Sequence, residues 1–466
     1  MLAGAAFNFL WQLNSSSFFV DETLSIDHSL PAWRDLIDTV IRTEITPPTY
    51  FLALNKWLYR FGTEEWVARL PSALAGIALV AAIAWLGWLV AGRRAAVAAA
   101  ALGAMSPLLL QYAQQARVYV FLLLASTLAV AATLQALRDE RRRGRWLAAG
   151  ALAAAIAVLL HYTSLFVVGP LCLWVLTRGE LPRRWRAAFV ASSALASSAV
   201  VPFLVSQSDI PNGLQGIAVL NLLNSVTVLG TPFDGRTRDE LDLLRWLAAA
   251  VTIGAVVAAA RLWPRERHHE RLLLLAVALA PLAADFALAL GGEDVLGTRY
   301  TSIAAPFLLV LLALVVTAIP RPAGLVLLAA ALALSLAGTA ASHRTSGFYL
   351  DARGVMGHVV PRLGAGDVIL LPPNPGANIP LTYYGRRLQA ENLPLITATD
   401  TATIRRLMRE RVRLWLVGEA AAIRLSALRA GLAPLGYEPL ELLRFEGVPA
   451  MAVVPADPLP ADPARR

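Results

Sequence analysis

Asp21 and Glu22 stand side by side where the first apolar stretch of the chain runs out. Leu2 to Trp11 precedes them, Phe18-Phe19-Val20 lead directly into them, and a polar loop follows. An ionised group near hydrocarbon is expensive, so a carboxylate pair at such a boundary reads as a functional site by default. The plainer reading, a helix end facing water, loses ground because of the other residues that the sequence places at the same boundary. Arg117 and Arg299 supply fixed positive charge, and Tyr119 and Tyr300 follow them closely. His161-Tyr162 end one apolar run, and Asp285 lies inside another. Asp285 is explained equally well as a polar helix-packing residue, and His161 alone would be an ordinary interfacial residue. As a set they suit one kind of displacement, in which a sugar leaves a lipid phosphate. A carboxylate takes the proton of the attacking hydroxyl or amine, and guanidinium groups hold the departing phosphate through charge-assisted, often bidentate bonds. A single displacement needs one base, unlike the paired carboxylates of glycosidases.

Those side chains must be carried by membrane-spanning elements. Hydrophobic residues make up 57% of the 466 residues and the mean hydropathy is +0.58, well above a soluble domain. Charge-free runs such as Ala95 to Leu110, Leu247 to Ala260 and Phe307 to Ala318 approach, with their flanks, the roughly 20 residues that cross a bilayer. The sequence predicts a polytopic α-helical membrane protein with about eleven spans near 2–19, 66–91, 95–110, 117–137, 146–161, 163–177, 187–206, 243–263, 272–290, 301–319 and 323–341. The net charge of +9 does not indicate nucleic acid. Its arginines cluster between apolar runs, at 93–94, 138–145, 183–186 and 261–271, as cytoplasmic loops do. Alternating the spans puts every cluster on one side. It puts Asp21-Glu22, residues 111–117, His161, loop 207–240, Arg299 and everything after 342 on the other. Cys172 is the single cysteine, so no internal disulfide forms and no thiolate metal site is suggested. No cleavable signal peptide is evident.

Within the external loop 21–65, Trp33, Leu36, Ile37, Val40 and Ile41 recur at helical spacing opposite Arg34, Asp35, Asp38, Thr39 and Arg42, which predicts an interfacial amphipathic helix. A second, aromatic-rich helix is expected at 48–61. From residue 342 the composition becomes that of a soluble domain. Strands are expected at 368–371, 413–417, 440–444 and 450–454 and helices at 401–411 and 420–430, a small extracytoplasmic α/β domain at 342–455 with a disordered tail at 456–466. It has no glycine-rich phosphate loop.

Several ordered motifs resemble the polytopic GT-C glycosyltransferases, in particular the branch of protein O-mannosyltransferases and the lipid A aminoarabinose transferase. They are Val20 to Ser25, Pro47-Pro48-Thr49-Tyr50 running to Gly62, Glu65 to Ala73, Ser106-Pro107, Gln111 to Tyr119, His161-Tyr162 and Arg299-Tyr300 with Pro306. Residues 1–341 would then form the transmembrane transferase domain. The resemblance implies an inverting transfer from a polyprenyl-phosphate sugar to an extracytoplasmic lipid, polysaccharide or protein of the cell envelope, in a bacterial inner membrane, with Asp21 as catalytic base and Glu22 beside it. Arg117 and Arg299 would bind the donor phosphate, and Tyr119, His161, Tyr300, Asp285 and Glu44 are substrate-site candidates. The family often has His before the Pro-Pro pair, an acidic residue before the Ala-Arg, and His where Asn55 stands. Here Thr46, Gln115 and Asn55 occupy those positions, which leaves a divalent metal ion an open question. The alternative is a glycolipid flippase, which would be expected to show internal repeats and broken helices at mid-membrane. No such repeat is visible.

Overall fold

The computed structural model describes residues 1–208, 210, 228–229, 242–262, 268–290, 298–344, 351–364, 367–371, 375–388, 395–397, 414–417, 437–445 and 448–455. The chain divides into two compact units, Met1–Leu13 with His28–Arg344, and Asn14–Asp27 with Thr345–Arg466. Asp285 lies on a described helix but its side chain is outside the described residues, as are the expected helices at 401–411 and 420–430 and the tail.

The first unit is helical. In chain order it holds α1 (Leu2–Leu10), the end of α2 (Val20–Ser29), α3 (Trp33–Thr43), α4 (Thr49–Phe61), α5 (Glu65–Met105), α6 (Pro107–Ala113), α7 (Tyr119–Arg138), α8 (Arg143–Leu160), α9 (Leu165–Thr177), α10 (Arg183–Ser206), α11 (Asp242–Leu262), α12 (His268–Leu290), α13 (Thr298–Thr301), α14 (Ala305–Ala318) and α15 (Arg321–Arg344). Among the described residues eight helices are long and apolar enough to cross a membrane, and Tyr162–Thr177 is a shorter apolar one. This is a multi-pass membrane protein. From Ala305 to Val316 every residue of α14 is buried, so this helix lies inside the bundle.

One expected span turns out differently. α1 stops at Leu10 instead of running to residue 19. Gln12 takes a positive φ of 59°, and the polar Asn14-Ser15-Ser16-Ser17 follows. Nine residues of helix rise only about 14 Å, under half a bilayer core. The spans expected at 66–91 and 95–110 correspond to the two arms of α5, which breaks at Ala91 and at Gly92 (φ 80°, ψ −167°). A Cβ on Gly87 would meet the Ala95 carbonyl at 3.1 Å and the Ala99 Cβ at 3.2 Å, and one on Gly103 would meet Ile83 at 3.5 Å. The two arms therefore fold back on each other as a tight helical hairpin and make two crossings, with Arg93-Arg94 at its tip. Small residues permit that approach, as is usual between helices in lipid.

The bundle has two chemically different ends. At one, Arg138 donates to the Leu89 carbonyl and lies 3.8 Å from Glu270, Arg143 donates to the Glu180 carbonyl, and Arg178 meets His269 Nδ1 at 3.0 Å. Arg138, Arg143 and Arg178 thus meet their partners at this end. At the other end, the last carbonyls of α5 have no helical partner because Pro107 opens the next helix. Asn8 Nδ2 donates to Ala104 O at 3.0 Å, Thr339 Oγ1 to Met105 O at 2.8 Å, and His343 Nε2 pairs with Asn8 Oδ1 at 2.9 Å. Buried side chains thus replace the missing backbone bonds.

The interfacial helices form where the periodicity places them. On α3, Leu36 and Val40 are fully buried and Trp33 is exposed, while Arg42 bonds Asp38 across one turn. Asn55 of α4 donates to the Ser29 carbonyl at 2.7 Å and the Pro31 carbonyl at 3.2 Å, fixing the chain as it leaves α2.

In the second unit, β1 (Val368–Leu371), β2 (Leu395–Thr397), β3 (Leu414–Val417), β4 (Tyr437–Phe445) and β5 (Val448–Pro455) form one sheet in the order β2-β1-β3-β5-β4. The first three strands run parallel, and β5 pairs antiparallel with both β3 and β4. Helices α16 (Ala352–Val359) and α17 (Pro375–Leu388) and strand β2 have no counterpart in the sequence reading. Trp415, almost fully buried, donates to Asp367 at 3.3 Å. The segment Asn14–Asp27 is part of this unit. The Phe18 amide donates to Tyr384 Oη at 2.8 Å, and its ring lies 5.9 Å from Tyr383 and 6.4 Å from Tyr384. Ser17 Oγ accepts from the Arg353 amide at 3.0 Å, and Arg353 Nη2 donates to the Asn14 carbonyl at 2.9 Å.

Gly92 has a backbone conformation open essentially to glycine alone, worth about 1–3 kcal/mol to any other residue. Gly92→Ala should therefore lower the unfolding temperature of the detergent-solubilised protein, whereas Gly179→Ala, in open space with no such φ, should leave it within about a degree of the parent.

Candidate active site

α2 begins at Val20 and places Asp21 and Glu22 in its first turn and His28 in its last. Carboxylates there face the partial positive charge of the helix start. Glu22 does more than that. Its Oε2 accepts the Phe19 amide at 3.4 Å, the third-residue acid of the helix reaching back to cap the amide before it. Glu22 is fully buried. Asp21 is half-buried, and its carbonyl accepts Ser25 Oγ at 2.9 Å within the helix. Neighbours in sequence, the two acids thus differ in environment, Glu22 turned into its own helix cap. Both lie in the segment that groups with the second unit.

The first unit gathers most of the remaining candidates. Glu44, 8% exposed, ends α3. Its Oε1 lies 3.2 Å from His28 Nδ1 and its Oε2 3.8 Å from Arg117 Nη2. The Arg117 guanidinium stands 5.8 Å from the centre of the Tyr119 ring. Tyr119 is 5.8 Å from the His161 ring, His161 is 5.8 Å from the Tyr300 ring, and the Arg299 guanidinium stands 5.1 Å over Tyr300. The result is a continuous band, Arg117–Tyr119–His161–Tyr300–Arg299, drawn from the starts of α7, α13 and the junction after α8. Tyr162 donates to Gln207 Oε1 at 2.7 Å, and Gln207 Nε2 donates to the carbonyls of Val40 at 3.2 Å and Thr46 at 3.1 Å. Gln207 so ties the His161-Tyr162 junction to the interfacial loop.

His161 sits at the centre with 2% of its surface exposed. Its backbone breaks α8, and its Nδ1 accepts the Thr163 amide at 3.2 Å, capping the short turn Tyr162–Ser164. Burial first, then the charges of Arg117 and Arg299, push its pKa down to about 3. The ring is neutral at any physiological pH. Since Nδ1 accepts a backbone N–H, the proton belongs on Nε2.

Two guanidinium groups in one band, one of them buried, can hold an anion more strongly than the same groups would in water. Among the described residues no group of three or more His, Cys, Asp or Glu could hold a metal ion. His28 and Glu44 offer two donors, with Arg117 already on the second Glu44 oxygen, short of the three protein ligands of a catalytic zinc site. Asn55, standing where the resembled family often has histidine, bonds backbone carbonyls instead.

Sequence reasoning did not single out His28 or Gln207. For His28 the available signal was its place two turns beyond the acidic pair in one ten-residue helix. For Gln207 nothing local distinguishes it, since its partners are distant in sequence.

Residues 46–205 match the family model described as dolichyl-phosphate-mannose-protein mannosyltransferase. A search of curated protein sequences finds no match. Among solved structures the chain is similar to ArnT from Cupriavidus metallidurans in the apo state, with a TM-score of 0.62 and 15% identity over 97% of this chain and 96% of that one. The same enzyme bound to undecaprenyl phosphate gives a TM-score of 0.58 and 14% identity over the same shares. It is also similar to the arabinofuranosyltransferase AftD from Mycobacteria, with a TM-score of 0.54 and 16% identity over 98% of this chain but only 40% of that one. The chain has the fold of the GT-C glycosyltransferases and resembles their ArnT and protein mannosyltransferase branch.

Proposed function

We propose that this protein is an integral membrane, inverting glycosyltransferase that moves a sugar from a polyprenyl-phosphate donor to a lipid, polysaccharide or protein acceptor on the extracytoplasmic face of a bacterial inner membrane. The observation that carries the reading is the band in which Arg117 and Arg299 flank one neutral histidine at the bundle end away from the arginine clusters. The ArnT structure with bound undecaprenyl phosphate is of a protein with the same fold.

In the reaction, the acceptor oxygen or nitrogen attacks the anomeric carbon and its proton passes to Asp21. The bond from that carbon to the phosphate oxygen breaks, and its electron pair leaves on the phosphate, whose charge Arg117 and Arg299 take up. One displacement inverts the anomeric centre. Glu22, committed to the α2 cap, holds the helix start that carries Asp21. Glu44, itself paired with His28, steadies Arg117. The interfacial helix α3, with apolar residues on one face, suits a donor that arrives from the bilayer.

Incubating the purified protein with a panel of labelled polyprenyl-phosphate sugars and envelope acceptors should yield transfer with at least one donor. Donor movement across a vesicle membrane without transfer would favour the flippase instead.

Asp21→Asn should slow transfer by about 10²–10⁴-fold and leave donor binding unchanged. Near-parental turnover would remove Asp21 as the base. Arg299→Lys keeps charge but loses the planar fork, so donor affinity should fall, and fall further for Arg299→Ala, as read by a binding titration in detergent. Finally, a reporter active only outside the cytoplasm and fused after Gly347 should be active. A cytoplasm-only reporter active there would invert the proposed face.

A further inference from the structure

Resting on the reading above that Arg117 and Arg299 bind a lipid phosphate, we infer that His161 is a third ligand of that phosphate, a neutral donor whose Nε2–H bonds a phosphate oxygen between the two guanidinium groups. Four observations lead there. Nδ1 is engaged by the Thr163 amide at 3.2 Å and lies 3.0 Å from Thr163 Oγ1, so the free ring hydrogen is on Nε2. Nε2 is buried and has no hydrogen-bond partner among the described residues, while the residue as a whole is 2% exposed. A buried donor left unbonded is costly, and such groups in a native fold call for an explanation. The rings of Tyr119 and Tyr300 each lie 5.8 Å from the His161 ring and limit its movement. Arg117 and Arg299 both act on it electrostatically. What would complete such a site is an acceptor, anionic, and delivered from outside the protein. A phosphate oxygen meets all three requirements.

The chemistry separates this role from general acid or base catalysis. Between two guanidinium groups the ring stays neutral, so it carries no spare proton to give the departing phosphate. It adds a directed, uncharged hydrogen bond to two charged ones. It also places the phosphate along the band, because its donor points in one direction where the guanidinium groups offer several. The sequence pair His161-Tyr162 then makes sense as a unit, with the tyrosine bonded to Gln207 and the histidine turned to the ligand.

The test uses two isosteres in the full-length protein. Asn at 161 keeps a polar atom near the Nδ1 position and hence the cap on Thr163, but has nothing at Nε2. Gln reaches the Nε2 position with an amide N–H. Affinity for undecaprenyl phosphate is measured in detergent, with undecaprenol and inorganic phosphate as comparison probes, and the unliganded unfolding temperature of each variant is recorded. His161→Asn should bind undecaprenyl phosphate about ten- to a hundredfold more weakly, and His161→Gln should recover most of that loss. Independently of any variant's folding, the Nε2 ¹⁵N resonance of His161 in the parent protein should shift on adding undecaprenyl phosphate and not on adding undecaprenol. A shift with inorganic phosphate alone would make the site a general phosphate site and not one selective for the lipid. Affinity of His161→Asn within twofold of the parent, or an unmoved resonance at saturation, overturns the inference. If Arg117→Ala and Arg299→Ala still lose binding in that case, the donor-site reading stands and only the histidine's role falls. If they too bind like the parent, the donor-site reading falls with it.

Discussion

A charged group taken out of water must be met by another, and the rest of this structure can be followed from how that demand is answered at each end of the helix bundle. At the arginine-rich end the answer is internal or aqueous. Arg138 finds Glu270 and a carbonyl, Arg143 a carbonyl and Glu140, and Arg178 a histidine. At the other end Arg117, 7% exposed, has Glu44 at 3.8 Å, and Arg299 stands over Tyr300 in the same band. Two guanidinium groups brought into one band repel each other, and an anionic ligand would relieve that repulsion.

Much of this was legible from residue types and spacing. Charge-free runs gave the crossings, since hydrocarbon forbids unpaired backbone and leaves long helices as the answer. The constellation of Arg117, Tyr119, His161, Arg299 and Tyr300 was visible because each stands at the end of an apolar run. The amphipathic helix at Trp33–Thr43 followed from its period.

What the sequence hid has physical reasons. Hydropathy reports apolar content and not backbone angles, so it ran the first span through Gln12, and it could not show how closely the two arms of α5 pack. The contact of Glu22 with the Phe19 amide depends on where α2 begins, the least readable feature of any helix. His28 and Gln207 act through residues far off in the chain. So do Phe18 and Tyr384, whose contact makes the approach to Asp21 part of the second unit. Strand β2 is only three residues long and has too little pattern to detect.

The central claim is that Arg117, His161 and Arg299 together hold a lipid phosphate. A structure of the protein in lipid nanodiscs with a bound, non-transferable polyprenyl-phosphate sugar analogue tests it most directly. The account predicts the phosphorus between Arg117 and Arg299, with a phosphate oxygen within hydrogen-bond distance of His161 Nε2. Phosphate density at any other place on the protein, with this band unchanged and unliganded at saturating analogue, would contradict it.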